Sequence, residues 1–127
     1  FSQKYSQDEI NKMIKGKGGV VAYLGTNDMR QVEESIANGD KKARMVIEAM
    51  AYQLAKHIVS YAAIFNGNVD AIVLTGSLLY FDLLLELIKE RCEFLTKIIV
   101  IKGEMEMEAL ALGGLAFLQN KTEPKHY

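Results

Sequence analysis

Apolar residues recur along the chain with two spacings, and these spacings predict helices joined by short strands. Spacings of three and four positions place apolar side chains on one face of a helix. This pattern predicts five helices, over residues 7–14, 29–37, 41–65, 80–92 and 105–119. Ser6 and Glu9 have the spacing of a capping box, and Asp40 precedes the longest helix as a cap.

Three short apolar runs predict strands. The runs at 71–74 and 98–101 are continuous, which is typical of parallel strands that are covered on both faces. The run at 20–24 predicts a strand or a buried extended segment. Strands that alternate with helices indicate an α/β fold with a short, mostly parallel sheet flanked by helices. Because so few strands rarely form a covered sheet, we expect part of the sheet to lie outside this chain.

Composition narrows the functional classes. The chain has 127 residues, half of them apolar, and a net charge of −1 with cations and anions intermixed. Without a basic stripe to neutralise phosphates, no nucleic-acid partner is expected. No apolar run reaches the ~20 residues of a membrane span, and no secretion signal is visible. Without a span or a secretion signal, we expect a cytoplasmic protein with no membrane partner. The lone Cys92 excludes an internal disulfide.

The first candidate site is the turn after a predicted strand, Leu74-Thr75-Gly76-Ser77. In open α/β sheets, ligands bind where strands end and helices begin. Small residues let a ligand approach the backbone, and a helix start offers free N–H groups. Neither a dinucleotide fingerprint nor a Walker lysine accompanies the turn. An ordinary turn that needs a positive φ is therefore the alternative interpretation.

The second candidate site is the loop–helix junction at Asp28 and Arg30. An arginine can stabilise charge on a transferring phosphoryl group, and an aspartate can hold a ribose hydroxyl or water-bound Mg²⁺. The alternative is helix capping by Asn27 or Asp28, with Arg30 in solvent.

The third candidate site consists of the acids that open the last predicted helix, Glu104, Glu106 and Glu108. Carboxylates can hold Mg²⁺ through its retained waters, whereas complementing the helix dipole is the alternative. Gly113 and Gly114 lie within the same helix and together cost it about 2 kcal/mol of propensity. We therefore expect both glycines to pack closely against another backbone.

In chain order, these segments resemble the matching stretches of butyrate kinases and, more distantly, of acetate kinases. The segments that carry the resemblance are 18–30 (GGVVAYLGTNDMR), 38–43 (NGDKKA), 49–53 (AMAYQ), 69–76 (VDAIVLTG) and 106–114 (EMEALALGG). The resemblance implies a partial ribonuclease H-like (actin-like ATPase) domain of the acetate and sugar kinase, Hsc70 and actin superfamily. It also implies that residues 1–127 are the C-terminal part of the second of two such domains.

The activity implied by the resemblance is transfer of the ATP γ-phosphoryl group to butyrate or a related short-chain carboxylate, which gives an acyl phosphate. Arg30 would act next to the transferred phosphoryl group, and Glu108 would bind Mg²⁺ through water. ATP and Mg²⁺ are thus the implied cofactors, and a homo-oligomer is the implied assembly. The nucleotide-binding residues implied by position are Asp28, Met29, Arg30, Gly76, Ser77 and Leu78.

The turn implied to bind adenosine departs from the family pattern. Butyrate kinases typically have Thr-Gly-Gly-Ile-Ala there, whereas this chain places Ser77 at the second glycine. A positive φ at Ser77 would cost about 1 kcal/mol or more, and Leu79 and Phe81 add bulk. A diverged copy, an altered nucleotide preference and a redesigned segment all stay open as explanations.

Three functional interpretations remain. Because the chain opens on Phe1 and lacks counterparts of the family's amino-terminal domain, the first is a kinase portion that is inactive alone. The second is a non-catalytic, degenerate kinase remnant that serves in assembly or oligomerisation. The third, a flavodoxin-like regulatory domain, has too few strands and no phosphoacceptor aspartate at a strand end.

Overall fold

The computed structural model describes residues 4–123, which form six α-helices and two β-strands. The helices are α1 (Gln7–Lys12), α2 (Val20–Leu24), α3 (Met29–Ala37), α4 (Lys41–Ser60), α5 (Asp82–Cys92) and α6 (Glu106–Leu118). The strands are β1 (Ile72–Gly76) and β2 (Ile98–Lys102). A π-helical segment, Met13–Lys17, continues α1, and short 3₁₀ helices follow α4 at Tyr61–Phe65 and β1 at Ser77–Tyr80.

Three helix starts predicted from the sequence are confirmed by their caps. The Ser6 hydroxyl accepts a hydrogen bond from the Glu9 amide, and the Glu9 carboxylate accepts one from the Ser6 amide. Asp28 caps α3 through the Arg30 amide, and Asp40 caps α4 through two amides of its first turn. Each cap of this kind stabilises its helix by about 1 kcal/mol.

The core lies between α4 and α5, the two helices that pack most extensively on each other. Every fourth position of α4 carries a buried apolar side chain: Ala43, Ile47, Ala51 and Ala55. The three alanines let α5 approach closely, and Leu84, Ile88 and Cys92 fill the opposite side of the core. Burial of a side chain such as Ile47 stabilises the fold by about 1.5–3 kcal/mol. Burial also raises the pKa of the Cys92 thiol, so it stays protonated near neutral pH.

The two strands pair in parallel, from Ile72 opposite Ile98 to Gly76 opposite Lys102, with α5 between them in the chain. Ile72 and Ile98 face the core. The other face of the sheet is exposed, including Val73, Ile99 and Ile101. The prediction of strands covered on both faces is therefore wrong within residues 4–123, because the core helices bury one face only.

The segment 20–24 is the helix α2, so the predicted third strand is wrong. Gly19 and Gly25 bound this helix with φ values of +56° and +75°, and the Gly25 amide donates a 2.9 Å hydrogen bond to the Val21 carbonyl. The spacing of Val20 and Leu24 places both side chains against the core. Helical packing thus outweighed the β propensity of the valines, since that propensity depends on having a strand to pair with.

Helix α6 forms close to its predicted position but lies away from the core, and its apolar side chains are largely exposed. A Cβ atom added to Gly113 or Gly114 would meet no atom of another element within 4 Å. The close packing predicted for these glycines is therefore not formed within the described part of the chain. None of the helices described between residues 4 and 123 is both long and apolar enough to span a bilayer.

Candidate functional site

The turn after β1 depends on Gly76 rather than on Ser77 for its unusual backbone. Gly76 has φ +113° and ψ 168°, a region that is accessible essentially only to glycine. Among the described residues, the non-glycine positions with positive φ are Asn66 and Asn120. Ser77 is therefore unstrained, and replacing the glycine of the family pattern has no backbone cost at this position.

The turn after β1 is tied to the turn after β2. Gly76 and Gly103 exchange two backbone hydrogen bonds, each of 3.2 Å. The Ser77 hydroxyl donates a 3.3 Å hydrogen bond to a carboxylate oxygen of Glu104. These hydrogen bonds connect the ends of the two strands at the carboxyl edge of the sheet. Ligands of α/β folds bind at this edge.

Tyr80 strengthens the same connection from the end of the 3₁₀ turn. A Cβ atom on Gly103 would lie 3.0 Å from the Tyr80 hydroxyl oxygen, so the ring rests closely on this glycine. The Lys102 ammonium lies 6.0 Å from the centroid of the Tyr80 ring and donates a 2.9 Å hydrogen bond to Asp82. The Lys102 contact lowers the pKa of the Asp82 carboxyl below its usual range.

At the start of α3, Asp28 both caps the helix and binds the Arg30 side chain. Its two carboxylate oxygens accept hydrogen bonds of 3.2 Å from Nε and an Nη of Arg30. The side-chain hydrogen bond from Arg30, followed by the backbone one, lowers the pKa of Asp28. The Arg30 side chain is 91% exposed, so it is aimed by Asp28 while its remaining donors stay free for an anion. Capping and anion binding are therefore compatible.

The structure brings the first two candidate sites together in one open cleft of about 550 Å³. Ser77 and Leu78 form one side of this cleft, which we call the Arg30 cleft. Its other lining residues include Asn27, Asp28, Met29, Arg30, Tyr80 and Phe81. Residues that are almost fifty positions apart in sequence thus face the same volume.

Ser77 and Leu78 also border a second cleft, of about 460 Å³, on the side of α6. Its lining includes Thr75, Gly76, Gly103, Glu104, Met105 and Glu106. The turn after β1 therefore separates two clefts, and the acids at the start of α6 belong to the second.

Glu108 is exposed on the first turn of α6 and lines neither cleft. Within residues 4–123, no three His, Cys, Asp or Glu side chains cluster as a set of metal ligands. Mg²⁺ in nucleotide sites usually takes only one or two carboxylates and completes its shell with waters and phosphates. Glu104 and Glu106, which line the second cleft, fit that chemistry.

The bulky residues after the turn are mostly part of the core. Leu79 and Phe81 are buried, and of the two only Phe81 borders the Arg30 cleft. Sequence reasoning did not find Tyr80 as a cleft residue. An aromatic residue three positions after the turn serine was the available signal.

Comparison with known proteins identifies the family. A family model described as the acetokinase family matches residues 2–79. This chain belongs to the acetokinase family. Among solved structures, a propionate kinase from Francisella tularensis subsp. tularensis SCHU S4 is similar, with a TM-score of 0.68 and 28% sequence identity. The match covers 83% of this chain and 33% of the propionate kinase, so the chain spans about one third of its length.

The structural match confirms the fold class: the chain is part of an actin-like ATPase domain, and within residues 4–123 it has a short, two-stranded parallel sheet that helices cover on one face. The resemblance to acetate and butyrate kinases is confirmed at the level of the family. A closer relation to butyrate kinases stays a prediction, since the similar structure is a propionate kinase. The matched residues include the turn at Ser77 and the Arg30 junction, whereas Glu108 lies outside them.

Proposed function

We propose that this chain is the nucleotide-binding portion of a short-chain carboxylate kinase. The complete enzyme would transfer the γ-phosphoryl group of ATP to a carboxylate and release an acyl phosphate. The observation that supports this most is the Arg30 cleft, where the Asp28–Arg30 ion pair faces the Ser77–Leu78 turn in a chain of the acetokinase family.

In this proposal, Arg30 stabilises the negative charge of the nucleotide phosphates and of the phosphoryl group during transfer. Asp28 accepts hydrogen bonds from two of the guanidinium donors. The guanidinium is therefore oriented before the nucleotide binds, and less side-chain entropy is lost in each turnover. The protein has little covalent work in phosphoryl transfer, and positioning with charge stabilisation supplies most of the rate. The connection between Gly76 and Gly103 keeps the adenosine side of the cleft in place.

Mg²⁺, when bound with ATP, would neutralise charge on the β- and γ-phosphates. The resemblance implies that Glu108 would bind this Mg²⁺ through water. Glu108, however, lines neither cleft. Glu104 and Glu106 line the second cleft, on the other side of the Ser77–Leu78 turn from Arg30, and neither lines the Arg30 cleft.

The carboxylate substrate is proposed to be butyrate or another short, linear or branched acid. Most of its pocket would lie in the remaining two thirds of the kinase, for which the chain has no counterpart. We further propose that the chain alone has no kinase activity, and that the complete protein is a cytoplasmic homo-oligomer that binds neither nucleic acid nor membrane.

The test is an acyl-hydroxamate assay with acetate, propionate and butyrate as acceptors. The 127-residue chain is expected to give no ATP-dependent hydroxamate, whereas the complete gene product gives ATP-dependent product with at least one acid. Turnover by the chain alone would overturn the proposal of an inactive portion. A complete gene product that is folded but inactive with all three acids would overturn the kinase assignment.

A degenerate kinase remnant that serves in assembly is the second candidate. Exposed apolar side chains on α6, such as Leu110 and Leu118, favour it, because such surfaces often mark interfaces. The two candidates differ in ATP binding. Calorimetry with ATP·Mg²⁺ that detects binding weakened by Arg30→Ala supports the kinase, and absence of binding by the complete gene product supports the remnant.

A further inference from the structure

The Arg30 cleft contains one exposed aromatic ring. Tyr80 is 62% exposed and lines the cleft together with Arg30 and Met29. The other aromatic residue of the lining, Phe81, is buried in the core. A cleft that combines a free guanidinium with an accessible ring offers two kinds of contact, one for an anion and one for a flat π-system.

Two contacts restrict the Tyr80 ring before any ligand binds. Its hydroxyl end rests on Gly103, where even a Cβ atom would approach to 3.0 Å. Lys102 lies 6.0 Å from its centroid and donates a 2.9 Å hydrogen bond to Asp82. A ring whose motion is already restricted loses less rotational entropy when a ligand stacks on it, so more of the stacking energy contributes to affinity.

A nucleotide matches this combination of groups. Its phosphates suit Arg30, which Asp28 directs, and its base presents a π-face to an aromatic side chain. We infer that the purine base of the nucleotide bound in the Arg30 cleft stacks on Tyr80, an inference that rests on the proposed function. The role is one of substrate positioning. Stacking requires only a π-face, so it favours ATP and GTP alike.

The inference is tested by calorimetry on the 127-residue chain with two Mg²⁺ complexes, those of ATP and of inorganic tripolyphosphate. The variants are Tyr80→Ala, Tyr80→Phe and Arg30→Ala. Tyr61→Ala is the matched control, since Tyr61 is also 62% exposed and lines neither cleft. Tyr80→Ala is expected to weaken ATP binding about tenfold or more, as removal of base stacking does, while tripolyphosphate binding changes less than about twofold.

Tyr80→Phe keeps the π-face and should retain ATP affinity within about threefold, and Tyr61→Ala should leave it unchanged. Equal losses of ATP and tripolyphosphate affinity in Tyr80→Ala would overturn the inference, because they indicate a structural role. ATP binding that is weakened by Arg30→Ala but unaffected by Tyr80→Ala would overturn it while leaving the proposed function intact. No binding of ATP to the wild-type chain at any accessible concentration would overturn both.

Discussion

Gly76, the last residue of β1, and Gly103, which follows β2, bind each other through two backbone hydrogen bonds of 3.2 Å. The pair closes the carboxyl end of the sheet. Both glycines have positive φ, +113° and +96°, so each turn can bring its backbone close to the other without a side chain between them. The two turns together therefore form the wall between the two clefts.

Gly76→Ala is expected to destabilise the chain by about 1–3 kcal/mol, because alanine is strained at this φ and ψ. Gly114→Ala is the control, since Gly114 lies within α6 with open space around it. There alanine should stabilise the helix by up to about 1 kcal/mol. Urea denaturation of both variants measures the difference. Equal stability of Gly76→Ala and the wild type would contradict the assigned backbone geometry.

Ser77→Gly restores the residue that the family pattern has at the turn. Ser77 has no positive φ, so its replacement relieves no strain and removes the hydrogen bond to Glu104. We expect the variant to be less stable by up to about 1 kcal/mol. Ser77→Ala, which keeps the Cβ atom, separates the hydroxyl contribution from the backbone one. A clear gain in stability for Ser77→Gly would show that the serine is strained after all.

Ile47→Ala and Met45→Ala test the position of the core on α4. Ile47 is fully buried between α4 and α5, whereas Met45 is largely exposed two residues earlier. Loss of the Ile47 side chain should cost about 2–5 kcal/mol of unfolding free energy. Met45→Ala should change it by less than about 0.5 kcal/mol, as surface substitutions usually do. Similar losses in both variants would mean that α4 is rotated about its axis.

The Asp28 carboxyl should titrate below its usual pKa range, because the Arg30 side chain and amide both donate hydrogen bonds to it. A lowered folded-state pKa contributes stability above the unfolded value, and this contribution is lost as the pH falls below about 4. Carbon-13 NMR of the Asp28 carboxyl measures the effect directly. Arg30→Ala should raise the pKa, and an unchanged pKa would show that the ion pair is absent in solution.

Local sequence signals predicted the helices well. The Ser6 and Asp40 caps form as predicted, and of the two residues considered for α3 it is Asp28 that caps the helix. Such caps can be predicted because a capping interaction involves only neighbouring residues. β1 and β2 were also found from their apolar runs. Segment 20–24 was predicted incorrectly, since an isolated apolar run does not specify its partner, and helical packing against α4 decided its conformation.

The candidate site was less predictable because its geometry depends on tertiary contacts. That Asp28 and Ser77 would border one cleft cannot be read from two short motifs without the family resemblance. Gly76, and not Ser77, adopts the positive φ, and the Tyr80 ring contacts Gly103. Both features depend on the pairing of β1 with β2. Glu108 lies in one of the segments that carry the resemblance, yet on the first turn of α6 it lines neither cleft.

The central claim is that the Arg30 cleft binds ATP, and a titration of the ¹⁵N-labelled chain with ATP·Mg²⁺ followed by amide NMR tests it most directly. The account predicts saturable shifts concentrated at residues 27–30, 76–78 and 80, which line the cleft or its turn. Arg30→Ala should weaken the apparent affinity without moving the amides of the α4–α5 core. Shifts confined to other surfaces, such as the groove between α2 and α4 around Tyr23 and Met45, or no shifts at all, would contradict the claim.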